Sequence, residues 1–350
     1  MDRYIGMDVH APTCTLAVMG PTGRRLHERV VETNGRLLVE AIQGIAGARH
    51  LCMEEGTQSQ WLYELLERHV EQLVVVQPMK RAGNKNDSID AWALAEQLRI
   101  GAAQKKSIFK GRRFPALRAA VRGQRAAMRD MVRAKNRLRA VYRARGLTPD
   151  ADVYSPERRE AWEKKLPSAD RKLAEQLAQH LDVMMETYAT ANAWLEAEAS
   201  KVPEVKRLCS VPGLGPITAS QIVATVIAPE RFRTKRQFWS YCGLGIVTRS
   251  SSDYVRDRSG RKWERRDVQQ TRGLNRNCRP MLKSVFKSAA IAVLRLKKHP
   301  LREAYDKTVE AGTKPNLATL TLARRIAAAT LAVWKKKEVY DPTKHRNQTA

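Results

Sequence analysis

Three strand-like runs, residues 4–10, 14–19 and 24–31, follow one another with only three or four residues between them. A parallel pair needs a crossover of about a dozen residues or more, so links this short dictate an antiparallel meander. Gly20, Pro21, Thr22 and Gly23 supply the tight turn between the second and third runs. The pattern then alternates. A helical period covers residues 37–45, and a short apolar run at 50–53 ends in Glu54, Glu55 and Gly56. Trp61, Leu65 and Leu66 fall on one face of a further helix, residues 73–76 read as a buried strand, and a last helix runs from about Asp87 to Arg99. The order βββαβαβα predicts an α/β domain over residues 1–100.

Into this domain the sequence puts four carboxylates: Asp8, Glu54 (or its neighbour Glu55), Asp87 and Asp90. Asp8 sits between apolar strand positions, where a charge is costly unless paired or bound to metal. It shares a sheet face with His10. Glu54 ends a separate strand, which the sheet could set beside the first. Asp87 and Asp90, three apart at a helix start, project from one face. Acids in a first helical turn are also ordinary capping residues, so the arrangement as a whole carries the argument. Oxygen-rich clusters of this kind suit Mg²⁺ or Mn²⁺. Two such ions about 3.5–4 Å apart can activate an attacking oxygen and stabilise a leaving one in phosphoryl transfer.

The rest of the chain is set up to meet a polyanion. The formal net charge is +28. Residues 105–145 hold fifteen Lys and Arg against one acid, Asp130. Leu117, Val121, Met128, Val132, Leu138 and Tyr142 form an apolar helical face there. Arg118, Arg122, Arg125, Arg129, Arg133 and Arg137 form a second stripe beside it, at steps of three or four. Like charges along one face repel unless a polyanion screens them, which points to phosphate binding.

Residues 155–200 read as a helical hairpin or coiled coil, with Leu173, Leu177, Leu181, Met184, Tyr188, Ala191 and Leu195 as its seam. That seam serves either packing within one chain or dimerisation. Residues 201–340 are mostly helical, and 341–350 form a basic tail. Residues 211–218, Val-Pro-Gly-Leu-Gly-Pro-Ile-Thr, are similar to the hairpin of helix-hairpin-helix DNA binders, in which Gly213 and Gly215 would let backbone N–H groups approach a phosphate. A simple turn between helices would use the same residues.

The five cysteines are dispersed with no Cys-x-x-Cys pair, so they are expected to be reduced, and zinc is not expected. No uninterrupted apolar run reaches membrane-span length, and no signal-peptide pattern opens the chain. A cytoplasmic, nucleoid-associated protein without a membrane partner is expected.

Several of these segments together resemble the DEDD transposases of the insertion-sequence one-ten family. They are Gly-Met-Asp8-Val-His10, Met-Glu54, Lys-Asn-Asp87-Ser-Ile-Asp90-Ala and the run Tyr241-Cys-Gly-Leu-Gly followed by Ser250-Ser251. Residues 211–218 and the segment Ala323-Arg-Arg-Ile-Ala to Trp334-Lys look like that family's C-terminal domain. The resemblance implies a RuvC-like, ribonuclease-H-like N-terminal domain, a helical coiled-coil region over 101–200, and a transposase domain with a nucleophilic serine over 201–340. It further implies recombination of donor and target DNA guided by a structured bridge RNA, with an active site shared between subunits of a homodimer or homotetramer. Carried over by position, the metal ligands are Asp8, Glu54, Asp87 and Asp90, and the nucleophile is Ser251. Two departures leave the register open by one: Gly56-Thr57 follows Glu55, and Ser252-Asp253 follows the serine pair, so Glu55 and Ser250 remain alternatives.

The residues support this chemistry on their own terms. A serine hydroxyl needs activation, and the acids with a divalent cation could provide it. A phosphoserine link would conserve the phosphodiester energy, and no Walker-type motif is present to suggest nucleotide use. The alternatives are a metal-dependent junction-resolving nuclease that never forms a covalent link, and a non-catalytic nucleic-acid-binding protein.

Overall fold

The computed structural model describes residues 1–77, 87–103, 106–107, 114–248, 254–256, 259, 263–265 and 271–343. For Asp87, residues 106–107, Thr248, the short strands between 254 and 265, and residues 271–272 it describes the backbone alone. The chain divides into two units, Met1–Arg113 and Phe114–Ala350.

The first unit is built on a sheet that has, among the described residues, six strands: β1 (Asp2–Val9), β2 (Thr13–Met19), β3 (Arg25–Glu32), β4 (Ala48–Glu54), β5 (Gln72–Val76) and β6 (Lys106–Ser107). Their order is β3-β2-β1-β4-β5-β6. The first three strands form the expected antiparallel meander, and β4 and β5 add in parallel to β1. The two-residue β6, antiparallel to β5, is an addition to the expected order. Helices α1 (Gly35–Gln43) and α2 (Ser59–Leu66) cover one face of the sheet, with Ile5, Met7, Leu51 and Met53 beneath them. Asn34 caps α1, its side-chain oxygen accepting from the N–H groups of Arg36 and Leu37. The buried face of α2 is Ser59, Leu62 and Leu66, whereas Trp61 is exposed, which corrects the face expected from the sequence.

Helix α3 (Asp87–Arg99) covers the other face. Ala91, Trp92 and Ala95 pack with Tyr4, Ala17 and Met19, and Leu94 and Leu98 pack with Cys52, Val74 and Val76. The approach over β1 is close because Gly6 has no side chain: a Cβ there would lie 1.8 Å from the carbonyl oxygen of Ala91.

The second unit is mostly helical. It comprises α4 (Pro115–Arg143), α5 (Glu160–Glu163), α6 (Ser168–Ser200), α7 (Pro203–Leu208), α8 (Pro216–Val226), α9 (Lys235–Tyr241), α10 (Pro280–Val293), α11 (Pro300–Glu310) and α12 (Pro315–Lys336). Among the described residues, four short strands interrupt it: β7 (Ile246–Thr248), β8 (Tyr254–Arg256), β9 (Trp263–Arg265) and β10 (Thr271–Leu274). β7 pairs with β10 and β8 with β9, both antiparallel.

Helices α4 and α6 form an antiparallel hairpin within the chain. Leu117 and Val121 share a core with Leu195 and Ala199, and at the opposite end Ala134, Leu138 and Tyr142 share one with Ala174, Ala178 and Leu181. Gln124 donates to Asn192 midway, at 3.0 Å. The sequence expectation needs correcting on both helices. Val132 and Leu173 are exposed, and the seam instead uses Ala127, Ala134, Ala174 and Ala178. Alanines let the two backbones approach where larger side chains would hold them apart. A bidentate ion pair from Arg159 to Asp182 ties α6 to the segment before α5.

The core of helices α7–α12 also takes in Leu117, Val121, Leu195 and Ala199, so residues on both sides of position 200 share it. Helix α12 has the length and apolarity of a membrane span, but most of it is buried in this core. Among the described residues no disulfide joins the five cysteines.

Candidate active site

Side chains alternate between sheet faces, so the neighbours of Asp8 fix its side. Tyr4 and Gly6 face α3 whereas Ile5 and Met7 face α1 and α2. Asp8 therefore lies on the α3 side. On β4 the same alternation puts Cys52 under α3 and Leu51 and Met53 on the other face, so Glu54 also lies on the α3 side. The parallel register pairs Met7 with Met53, which sets Asp8 and Glu54 next to each other at the C-terminal ends of adjacent strands.

Helix α3 delivers the other two acids to the same end of the sheet. It runs antiparallel to β1: Ala91 and Ala95 lie over Gly6, and Arg99 at its C-terminus donates to the carbonyl of Pro21, in the turn beside the start of β1. Its N-terminus is therefore at the Asp8 end. Asp87 opens the helix one turn before Ala91, and Asp90 lies in the same first turn. A helix N-terminus carries a partial positive charge, which favours carboxylates at this position.

The local surroundings are specific. The side chain of Asp8 is 18% exposed and contacts Nε2 of His10 at 3.1 Å, as expected from their shared face. Thr15, its cross-strand partner, is buried. Beyond Glu54, Ser59 fixes the chain: its hydroxyl donates to the Glu54 carbonyl at 3.2 Å and accepts from the Gly56 N–H at 2.6 Å. Glu55 follows the strand, its N–H bonded to the carbonyl of Val76 at 2.7 Å. Ser59 had no motif to mark it in the sequence. Among the described residues no three His, Cys, Asp or Glu side chains lie close enough to share one cation. The side chain of Asp87 is outside the described residues.

Ser250 and Ser251 also lie outside the described residues. In the chain they fall between β7 and β8. The approach to them is firmly held. Asn275 donates to the backbone and side-chain oxygens of Ser240 at 3.2 and 2.8 Å, and its own N–H bonds to the carbonyl of Gly245.

The arginine stripe of α4 lies opposite its buried seam, not beside it. Arg122, Arg129, Arg133 and Arg137 are exposed, and Arg118 and Arg125 are half-buried. Burial, and then the neighbouring charge of Arg129, lower the pKa of Arg125. Asp130 pairs with Arg133.

In the α7–α8 hairpin the two glycines differ. Gly213 adopts φ +82°, and a Cβ there would lie 2.4 Å from the carbonyl of Ala289 on α10, so this glycine serves packing. Gly215 starts α8, its N–H donating to the Thr218 hydroxyl at 2.9 Å, and faces open space.

With this geometry established, comparison with known proteins is informative. Residues 5–144 match a transposase family model of the DEDD, IS110 type, and residues 205–306 match the model described as transposase IS116/IS110/IS902 family. A probable family 20 transposase of Pseudomonas aeruginosa is 28% identical over 233 residues. That match covers 61% of this chain and 65% of the relative, so it spans less than two thirds of the relative's length.

Proposed function

This chain belongs to the IS116/IS110/IS902 family of DEDD transposases, and from that premise we propose that it cuts and rejoins DNA by phosphoryl transfer through a serine nucleophile. The observation that carries the reading is the pairing of Asp8 and Glu54 at adjacent strand ends, with the acid-bearing N-terminus of α3 at the same end of the sheet. The strand order β3-β2-β1-β4-β5, antiparallel and then parallel, supports a RuvC-like, ribonuclease-H-like domain. The long α4–α6 hairpin supports the coiled-coil region.

Asp8, Glu54, Asp87 and Asp90 would hold Mg²⁺ or Mn²⁺. The donor set fits a hard cation: all four are carboxylates, Asp8 is largely shielded, and the strand alternation that puts Glu54 on the α3 side supports it ahead of its alternative Glu55. When bound, the cation polarises the phosphate and favours loss of the serine proton. The protein's own residues do the rest. Ser251, with Ser250 as the register alternative, supplies the attacking Oγ. A Ser–O–P bond forms as one P–O bond of the DNA breaks, and the departing sugar oxygen takes up a proton. His10, in contact with Asp8, orients that carboxylate.

The α4 arginines hold phosphates of donor and target DNA and of a structured guide RNA. Sequence choice then rests on base pairing by the RNA, and the protein recognises shape and backbone. The reaction takes place in the cytoplasm on nucleoid DNA, within a homodimer or homotetramer.

The test is covalent capture of the serine. Full-length protein with Mg²⁺, the RNA flanking its gene and an element-end DNA should give a protein–DNA adduct that survives denaturation. Ser251→Ala should abolish the adduct, and Asp8→Ala or Glu54→Gln should slow its formation at least about a hundredfold, with Glu55→Gln close to wild type. Free DNA ends without an adduct would instead identify a nuclease.

A further inference from the structure

Arg324, midway along α12, is a half-buried cation with unspent hydrogen-bonding capacity. Its Nε donates to the carbonyl of Leu244 at 2.8 Å, and its Nη2 is buried with no hydrogen-bond partner among the described residues. Burial alone lowers the pKa of its guanidinium, and no carboxylate among the described residues counters that effect. Arg325, the next residue, is desolvated in the same way. A guanidinium donor left without an acceptor in a poorly solvated site is costly. The chain here also carries many exposed arginines that could have served any purely solvated role.

Its position is equally specific. The carbonyl it holds belongs to Leu244, two residues before β7, the strand that leads toward the serine run. The backbone is fixed from both sides. Trp239 Nε1 donates to the carbonyl of Arg324 at 2.9 Å, and the Gly245 N–H bonds to the carbonyl of Trp239. The guanidinium is thus held at one end by Leu244, leaving its remaining donors for an oxyanion.

We propose that Arg324 is a positioning residue that takes one phosphate of the nucleic-acid backbone through its unused Nη donors, at the foot of strand β7. The oxygens of a phosphodiester supply the acceptors that Nη2 lacks, and the charge pair offsets the desolvation of the guanidinium. The inference rests on the DNA-recombining reading for the identity of the polyanion. Its test is a binding measurement and does not depend on turnover.

The experiment compares full-length wild type, Arg324→Gln and Arg324→Lys for affinity to an element-end DNA duplex over a series of salt concentrations. Thermal melting is recorded alongside. Loss of one phosphate contact should reduce the slope of log affinity against log salt by about 0.9 in Arg324→Gln, with Arg324→Lys restoring it. An unchanged slope in folded Arg324→Gln would show that Arg324 only anchors Leu244, and would overturn the proposal. If Arg324→Gln does not fold, peptide-mapped phenylglyoxal modification of the wild type decides. The duplex should slow reaction at Arg324, and an identical rate with and without DNA would again overturn it. Adduct formation by the wild type, scored separately, reports on the serine chemistry alone.

Discussion

A Cβ on Gly6 would meet the carbonyl oxygen of Ala91 at 1.8 Å and the backbone nitrogen of Ala95 at 2.6 Å. This contact sets the height of α3 above β1, and with it the placement of Asp87 and Asp90 relative to Asp8. The clash is with backbone, which cannot rotate away as a flexible side chain could. Gly6→Ala should therefore destabilise the first unit by about 3 kcal/mol. Chemical denaturation should show the lower midpoint. Adduct formation should fall even under conditions where the variant remains folded, because the helix that carries two of the acids has been lifted.

The two hairpin glycines should respond differently to the same change. Gly213→Ala combines a left-handed φ of +82° with a contact 2.4 Å from the Ala289 carbonyl, and should cost about 3 kcal/mol. Gly215→Ala adds a methyl group into open space at an ordinary extended φ of −107°, and should cost below about 1 kcal/mol. If the hairpin meets a phosphate, Gly215→Ala should weaken duplex binding with melting nearly unchanged. Wild-type affinity in that variant would assign the motif to packing alone.

His299 makes the stability of the second unit depend on pH. Its Nδ1 accepts the N–H of Leu301 at 3.1 Å and so caps α11. A protonated Nδ1 cannot accept. Burial lowers the pKa of His299, with Glu303 opposing weakly. The folded value is thus below the unfolded one of about 6.5. The unfolded chain then binds more protons, so stability rises with pH through this window. The cap contributes fully above about 6.5 and is lost as pH falls through the lower folded value. His299→Asn, which caps without titrating, should remove a loss of about 1 kcal/mol from the acid side of the stability profile. A profile identical to wild type would refute the assignment.

The sequence by itself determined the order of the longer elements in the first unit. Short links forced the β1–β2–β3 meander, and period-two and helical patterns marked β4, β5 and α3, because such signals are local. It also marked the arginine face of α4, since charges repeating at helical spacing need no partner to be read. What it left open was decided by neighbours remote in the chain. Glu54 and Glu55 are equivalent as residues, and only the parallel register with β1 puts Glu54 on the face of α3. Val132 and Ala134 are both apolar, and only the approach of α6 buries the smaller one and leaves the larger exposed. The two-residue β6 is too short to carry any period. Arg324 reads as one cation among many until the fold sets it against Leu244, eighty residues earlier in the chain. Periodicity specifies which face of an element is apolar or charged, but the contacts across that face depend on packing, and packing exists only in the tertiary structure.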